Sequence, residues 1–180
     1  MYFIGIDIGT SSICGVVYHT STQNVISITK ENCATIPSSK SWEKKQDADT
    51  IIDIVINMVR EFQSQYKDIK GIGITGQMHG IVYTDIQGNA VSPLYTWQDG
   101  RGNLNYRENQ SYAAYLSDIT GCPVATGYGL VTHFYNVQNR LVPTNATKLC
   151  TIMDYAVMKL SGKKISPNRP YQCCQFGLFR

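Results

Sequence analysis

Asp7, Gly9, Thr10, Ser11 and Ser12 put an acid, a glycine and three consecutive hydroxyl residues at the end of one apolar run and the start of the next. Glycine lets a backbone approach an anion closely, and turn N–H groups with neighbouring hydroxyls can wrap phosphate oxygens. A carboxylate on the adjoining strand suits a hard cation such as Mg²⁺, directly or through water. An ordinary hairpin whose aspartate caps its turn would use the same residues.

Three further groups have chemical potential. Gln77, Met78 and His79 lie between Gly76 and Gly80 at the end of an apolar run. Strand ends are where α/β proteins place ligand contacts, and Gln77 and His79 offer directional donors and acceptors for hydroxyls. A turn in which His79 only bonds the backbone is the alternative. Trp97-Gln98-Asp99-Gly100-Arg101 joins an aromatic face, an amide, an acid and a base. Such a set can stack on the C–H side of a sugar and hold its hydroxyls, or it can be a turn with a surface Asp–Arg pair of little energetic value. Tyr128, flanked by Gly127 and Gly129, presents a phenol from a loop or seals a helix start. Asp154 falls in a helical pattern and reads as a structural hydrogen-bonding group. His19 and His133 stand without carboxylates at metal-ligand spacing, which argues against zinc.

The elements that must position these groups follow from periodicity. Tyr2–Ile8 and Ile13–Tyr18 read as a hairpin and Asn24–Thr29 as a third strand. Glu31–Lys45 is polar and irregular, with Lys44 and Lys45 expected as a solvated pair. Ile52, Val55, Ile56, Val59 and Phe62 recur at helical spacing, predicting a helix over Asp49–Tyr66 capped by Asp47 or Asp49. Strands are expected at Ile69–Thr75 and Ile81–Thr84, a turn at Asp85–Asn89, extended chain at Val91–Trp97, and a helix over Asn105–Ser117. Gly121-Cys122-Pro123 breaks the pattern. A helix over Leu130–Arg140, a strand at Lys148–Ile152 and a helix over Met153–Leu160 complete the order. Three strands, a helix and a strand make an α/β start with an antiparallel portion, which suits a ribonuclease-H-like core.

The 180 residues fit one domain, and 43% apolar with 16% charged residues is a globular composition. A net charge of +3 gives no argument for nucleic acid. The six cysteines form no C-x-x-C pair and read as reduced cytosolic thiols. No apolar run reaches membrane length, and Met1 leads directly into a strand rather than a signal peptide.

In their order, these motifs resemble the N-terminal part of the FGGY carbohydrate kinases, and among them the sedoheptulokinase- and xylulokinase-like ketose kinases. Ile6-Asp7-Ile8-Gly9-Thr10-Ser11-Ser12 is similar to the family's first phosphate motif, and Gly76-Gln77-Met78-His79-Gly80 to the sugar motif of its ketose members. Thr96–Arg101, Thr126–Gly129 and Thr151–Tyr155 extend the likeness over almost the whole chain. The resemblance implies an α/β, ribonuclease-H-like or actin-like ATPase fold, a mixed sheet with flanking helices. Residues 1–180 would be its N-terminal domain, incomplete at its C-terminal edge, with the second, ATP-binding domain absent.

The implied reaction is transfer of the ATP γ-phosphoryl group to a ketose hydroxyl, mostly by positioning and charge neutralisation. The implied cofactors are ATP and Mg²⁺. Asp7 would be the catalytic and metal-positioning carboxylate, and Gly9, Thr10, Ser11 and Ser12 the phosphate turn. Gln77, Met78, His79, Trp97, Asp99 and Tyr128 would form or border the sugar pocket. The expected partner is a small ketose, with no nucleic acid and no membrane, and the expected compartment is the cytoplasm.

Two departures stand out. The family's catalytic base is an aspartate downstream of this chain. Pro170-Tyr171-Gln172-Cys173-Cys174-Gln175 replaces a polar Asp-x-Asn-Ala-Ala-Ser-type segment, before Phe176-Gly177-Leu178-Phe179 matches again. The chain alone is therefore expected to be inactive. A non-catalytic binding or regulatory module is the alternative. A ribonuclease-H-like nuclease would need further carboxylates, and its candidates Asp85 and Asp99 lie in turns.

Overall fold

The computed structural model describes residues 1–107 and 109–162. β1 (Tyr2–Ile8) and β2 (Ser12–His19) pair antiparallel through the Gly9–Ser11 turn, with Ile8 opposite Ile13. β3 (Val25–Glu31) continues the antiparallel order and runs two residues past the expected end, because Ser12 pairs with Glu31. β4 (Thr35–Ile36) and β5 (Lys45–Gln46) are two short paired strands inside the stretch expected to be irregular. α1 (Ala48–Gln65) follows, and Asp47 caps it by accepting from Thr50 N at 2.7 Å. β6 (Ile69–Gly76) then pairs parallel with β1. The main sheet is thus mixed, in the order β3-β2-β1-β6.

Alternation along β1 places Ile4, Ile6 and Ile8 in the core and leaves Phe3 and Asp7 exposed on the other face. α1 covers the core face with Ile51, Ile52, Val55, Met58, Val59 and Phe62. Gly15 on β2 is what lets it lie so close, since a Cβ there would run into Met58 and Phe62.

The second half forms the wall of the site. β7 (Val82–Thr84) and β8 (Leu94–Tyr95) precede a 3-10 turn at Gly100–Asn103. The expected helix over Asn105–Ser117 is corrected here. Its first part is a small hairpin, β9 (Asn105–Arg107) and β10 (Gln110–Ser111), and α2 occupies only Tyr112–Thr120. Asn109 sits at φ 63° and turns the chain, and Ser111 then caps α2 by accepting from Ala114 N. α3 (Gly129–Gln138) packs on α2. β11 (Lys148–Cys150) pairs with β7, and α4 (Ile152–Ser161) joins the core face beside α1. Asp154 has the expected structural role: it completes a capping box with Thr151. No described helix is long and apolar enough to cross a membrane. The readings of Pro170–Gln175 and of Phe176–Phe179 lie outside the described residues.

Candidate functional site

The Gly9–Ser11 turn is held from behind. Gly9 O accepts from Asn32 Nδ2 at 2.8 Å, Thr10 O from Gln46 Nε2 at 2.7 Å, and Ser11 O from Asn32 N at 2.9 Å. In a planar trans peptide the following N–H points opposite to the carbonyl. Three inward carbonyls therefore turn the N–H groups of Thr10, Ser11 and Ser12 outward, beside the exposed Ser11 and Ser12 side chains. Outward N–H groups beside exposed hydroxyls give this turn the donors an anion-binding nest would use. Gly9 is required, because a Cβ there would lie 2.6 Å from Ser12 O.

Thr10 is also the node that joins the separate motifs. Its hydroxyl accepts from Trp97 Nε1 at 3.0 Å and donates to Gln77 Oε1 at 3.3 Å. Gln77 Nε2 donates to Gln46 Oε1 at 2.8 Å, and Gln77 N to Ile8 O at 2.8 Å. Thr10, Gln46, Gln77 and Trp97 thus form one closed polar network. The Gln77 amide is spent on holding the turn. Gln46→Leu leaves Thr10 O and Gln77 Nε2 without these partners, at about 1–3 kcal/mol for each buried group. The urea midpoint should fall accordingly with an unchanged slope, and an unchanged midpoint would show that the amide bears no structural load.

His79 lies in the left-handed region at φ 68°, and Gly80 N donates to Met78 O at 2.9 Å across it. An i→i+2 bond around such a residue closes a γ-turn of the rarer, strained kind. The ring stacks on Tyr128 with centroids 4.3 Å apart and planes 8° from parallel. Tyr128 is the N-cap residue of α3 and makes no side-chain capping bond. Met78 and Trp97 are 51% and 47% exposed.

Asp99 is 0% exposed, not part of a surface pair. Its Oδ1 accepts from Arg101 N at 3.1 Å and Arg101 Nε at 2.7 Å, and its Oδ2 from Lys44 N and Arg101 Nη2, both at 3.1 Å. The carboxylate is saturated by protein donors. Arg101 is equally buried: it lies 4.2 Å over the Tyr95 ring and 5.3 Å over Tyr135, and its Nη1 donates to Asn136 Oδ1. Asn136 Nδ2 donates in turn to the Tyr83 hydroxyl, which is 2.8 Å from His133 Nδ1. Burial pushes the Tyr83 phenol up to about 12 and holds His133 below its ordinary value, so this end of the network is uncharged. The Thr126–Tyr128 loop docks on the same turn. Thr126 Oγ1 donates to Asp99 O at 3.1 Å, and Gly127 presses its backbone on the Trp97 carbonyl.

The structure therefore brings together Thr10, Gln77, His79, Trp97, Asp99 and Tyr128. Asp7 stands apart, on the sheet face opposite the core, opposite Cys14 and Thr75. Its side chain is exposed and makes no hydrogen bond or ion pair among the described residues. A single unpaired carboxylate beside a phosphate nest fits Mg²⁺, which keeps several waters and takes one or two carboxylates with the phosphates. Among the described residues no group of three His, Cys, Asp or Glu could hold a metal by itself. Asn32 and Gln46 were not visible as site residues in the sequence. Their only signal is the pairing of Ser12 with Glu31, which sets Asn32 beside the turn.

The description "FGGY family of carbohydrate kinases, N-terminal domain" matches residues 2–168. The chain is 28% identical to a sedoheptulokinase of Mus musculus over 190 aligned positions, covering 88% of this chain and 38% of the relative. It is 33% identical to a xylulose kinase of Staphylococcus xylosus over 102 positions, covering 56% and 21%. The crystal structure of a xylulose kinase from Rhodospirillum rubrum superimposes with a TM-score of 0.79 at 19% identity, over 99% of this chain and 38% of that one. The fold is that of these sugar kinases, an actin-like ATPase fold, and the chain spans under two fifths of their length.

Proposed function

The chain belongs to the FGGY family of carbohydrate kinases, whose N-terminal domain it carries, and from that premise we propose that it is the sugar-binding half of an enzyme that phosphorylates a ketose such as sedoheptulose. The observation that carries this reading is the Thr10 node. One side chain ties an outward-facing anion nest to Gln77 and Trp97 of the two sugar motifs, so donor phosphate and acceptor sugar would be held in fixed register.

ATP with Mg²⁺ would supply the transferable phosphoryl group and neutralise its charge. The N–H groups of Thr10, Ser11 and Ser12 would hold phosphate oxygens, and Asp7 would orient the metal through water. Met78, His79, Trp97 and Tyr128 would face the sugar. Asp99 and Gln77 would border the pocket by fixing its walls, Asp99 through Arg101 and the Lys44 backbone. The pocket needs a group to take the hydroxyl proton. Asp99 is saturated by protein donors, so among the described residues neither it nor Gln77 is assigned that role.

The 180-residue chain should accordingly bind sedoheptulose or xylulose weakly, on the order of millimolar, because Met78 and Trp97 are half exposed and leave the ligand largely open to water. It should show no ketose-dependent ATP turnover, since general-base assistance alone contributes about 10²–10⁴-fold. Saturation-transfer NMR with both ketoses, and with glycerol as the comparison polyol, tests this. Ketose signals without glycerol signals support it. Glycerol binding equal to ketose binding removes the ketose assignment. Robust ADP release by the chain alone removes the division of labour and leaves a complete kinase. Binding without any role in transfer in a longer protein would favour the regulatory module.

A further inference from the structure

A cavity lies beside the Thr10 network; it shares Thr10, Thr96 and Gln98 with the motifs above, and the rest of its lining belongs to none of them. Between β4 and β5 the chain arches out over residues 37–44 and encloses about 210 Å³ against Thr10, Thr96 and Gln98. The arch is built, not loose. Glu43 N donates to Lys40 O at 3.0 Å, Lys40 N to Ser38 Oγ at 3.1 Å, and Ser38 Oγ to Glu43 Oε2 at 2.6 Å. Its far end is bolted to the opposite wall. Lys44 N donates to Asp99 Oδ2, Lys44 O accepts from both Thr96 N and Thr96 Oγ1 at 3.1 Å, and Gly100 N donates to Trp42 O at 2.7 Å.

The charge on this cavity is one-sided. Among the described residues Glu43 is the only carboxylate lining it, and it is committed to Lys45 Nζ at 3.0 Å and to Arg101 Nη2 at 3.8 Å. Burial works to raise its pKa, but the Ser38 hydroxyl, Lys45 and Arg101 outweigh it and hold the carboxyl below its ordinary range. Lys40 and Lys44 also line the cavity and have no carboxylate partner among the described residues. Lys40 rests 5.1 Å over the Trp42 ring. The Ser41 and Thr35 hydroxyls and the Gln98 amide make no side-chain hydrogen bond among the described residues, which leaves donors beside the two ammonium groups.

Two exposed lysines and several neutral donors lining one cavity suit a dianion, and lysine is an established phosphate binder as a point charge. The volume decides the size class. Pockets for drug-sized ligands run from about 300 to 1,000 Å³, so this one is too small for a nucleotide. We propose that the cavity under the 37–44 arch is a second anion site, separate from the Gly9–Ser12 nest, in which Lys40 and Lys44 grip the phosphate of a compact phosphate-bearing ligand. The site does not depend on the ketose reading, because neither lysine side chain belongs to the sugar pocket.

The test is an amide chemical-shift titration of the 180-residue chain with inorganic phosphate, with fructose 6-phosphate and with fructose, against sodium chloride at matched ionic strength. Inorganic phosphate and fructose 6-phosphate should move the amides of Ser38, Ser41, Lys44 and Thr96. Equal affinities identify a site that reads phosphate alone, and tighter binding of the sugar phosphate identifies one that also reads the polyol. Lys40→Ala and Lys44→Ala should each weaken binding about tenfold, and Lys44→Arg should largely restore it. In the unaltered chain, phosphate should also protect the Lys40 and Lys44 amines from acetylation, a readout independent of any variant's folding. The proposal is overturned if the shifts are confined to residues 9–12, if chloride reproduces them, if the double alanine variant binds as the wild type does, or if phosphate leaves both amines fully reactive. None of these outcomes alters ketose binding, so the two sites fail separately.

Discussion

Asp99→Ala should cost about 3–5 kcal/mol, the largest effect of any single change in the site. Asp99 accepts four hydrogen bonds, three from Arg101 and one from Lys44 N. Removing the carboxylate leaves a guanidinium in the interior with Asn136 as its remaining close acceptor and with Glu43 at 3.8 Å. Total stability of a domain is about 5–15 kcal/mol, so the variant should lose a large share of it. Asp99→Asn should be milder, because it keeps one acceptor for the Arg101 N–H groups. Urea denaturation followed by tryptophan fluorescence reads both, since Trp42 and Trp97 flank the pair. A midpoint for Asp99→Ala within error of the wild type would mean that the pair is not buried as described.

Gly127→Ala should come second, at about 2–5 kcal/mol, and should also disable the pocket. Gly127 has φ 82°, where a side chain costs about 1–2 kcal/mol. The added methyl would collide with the Trp97 carbonyl, a backbone atom that no rotamer change can move aside. Overpacking of that kind adds about 1–3 kcal/mol. The relief available is to lift the 126–128 loop, which breaks the Thr126–Asp99 bond and draws Tyr128 off His79. Loss of the ring-current shift that Tyr128 imposes on the His79 ring protons would report it. An unperturbed His79 spectrum with unchanged stability would contradict the proposed docking of this loop.

These two residues also mark how far the sequence could be read. The Asp7–Ser12 hairpin, α1 and the glycine-bounded Gln77–His79 stretch were legible because their signals are local: alternation, helical spacing and glycines at turns. Asp99 and Arg101 were legible as a group but not as an interior pair. Their i, i+2 spacing is the same at a surface, and burial comes from Tyr95, Tyr135 and Asn136 closing over them. Asn32 and Gln46 act on partners 23 and 36 residues away, a link that only strand register reveals. The hairpin at Asn105–Ser111 went unread because Asn109 in the left-handed region leaves no mark in a polar, aromatic stretch that also fits a helix.

The central claim is that His79, Trp97 and Tyr128 form one ketose pocket built on the Thr10 node. The most direct measurement is ketose affinity, by ligand-observed NMR titration with sedoheptulose, for the wild type, His79→Ala, Tyr128→Ala and the exposed control Lys148→Ala, each first shown to be folded. A sugar hydroxyl left unpaired on burial costs about 1–3 kcal/mol. His79→Ala should therefore weaken binding about tenfold, Tyr128→Ala by a comparable factor through loss of the stacked ring, and Lys148→Ala not at all. Sedoheptulose binding of equal strength in all four proteins would place the sugar somewhere other than this pocket.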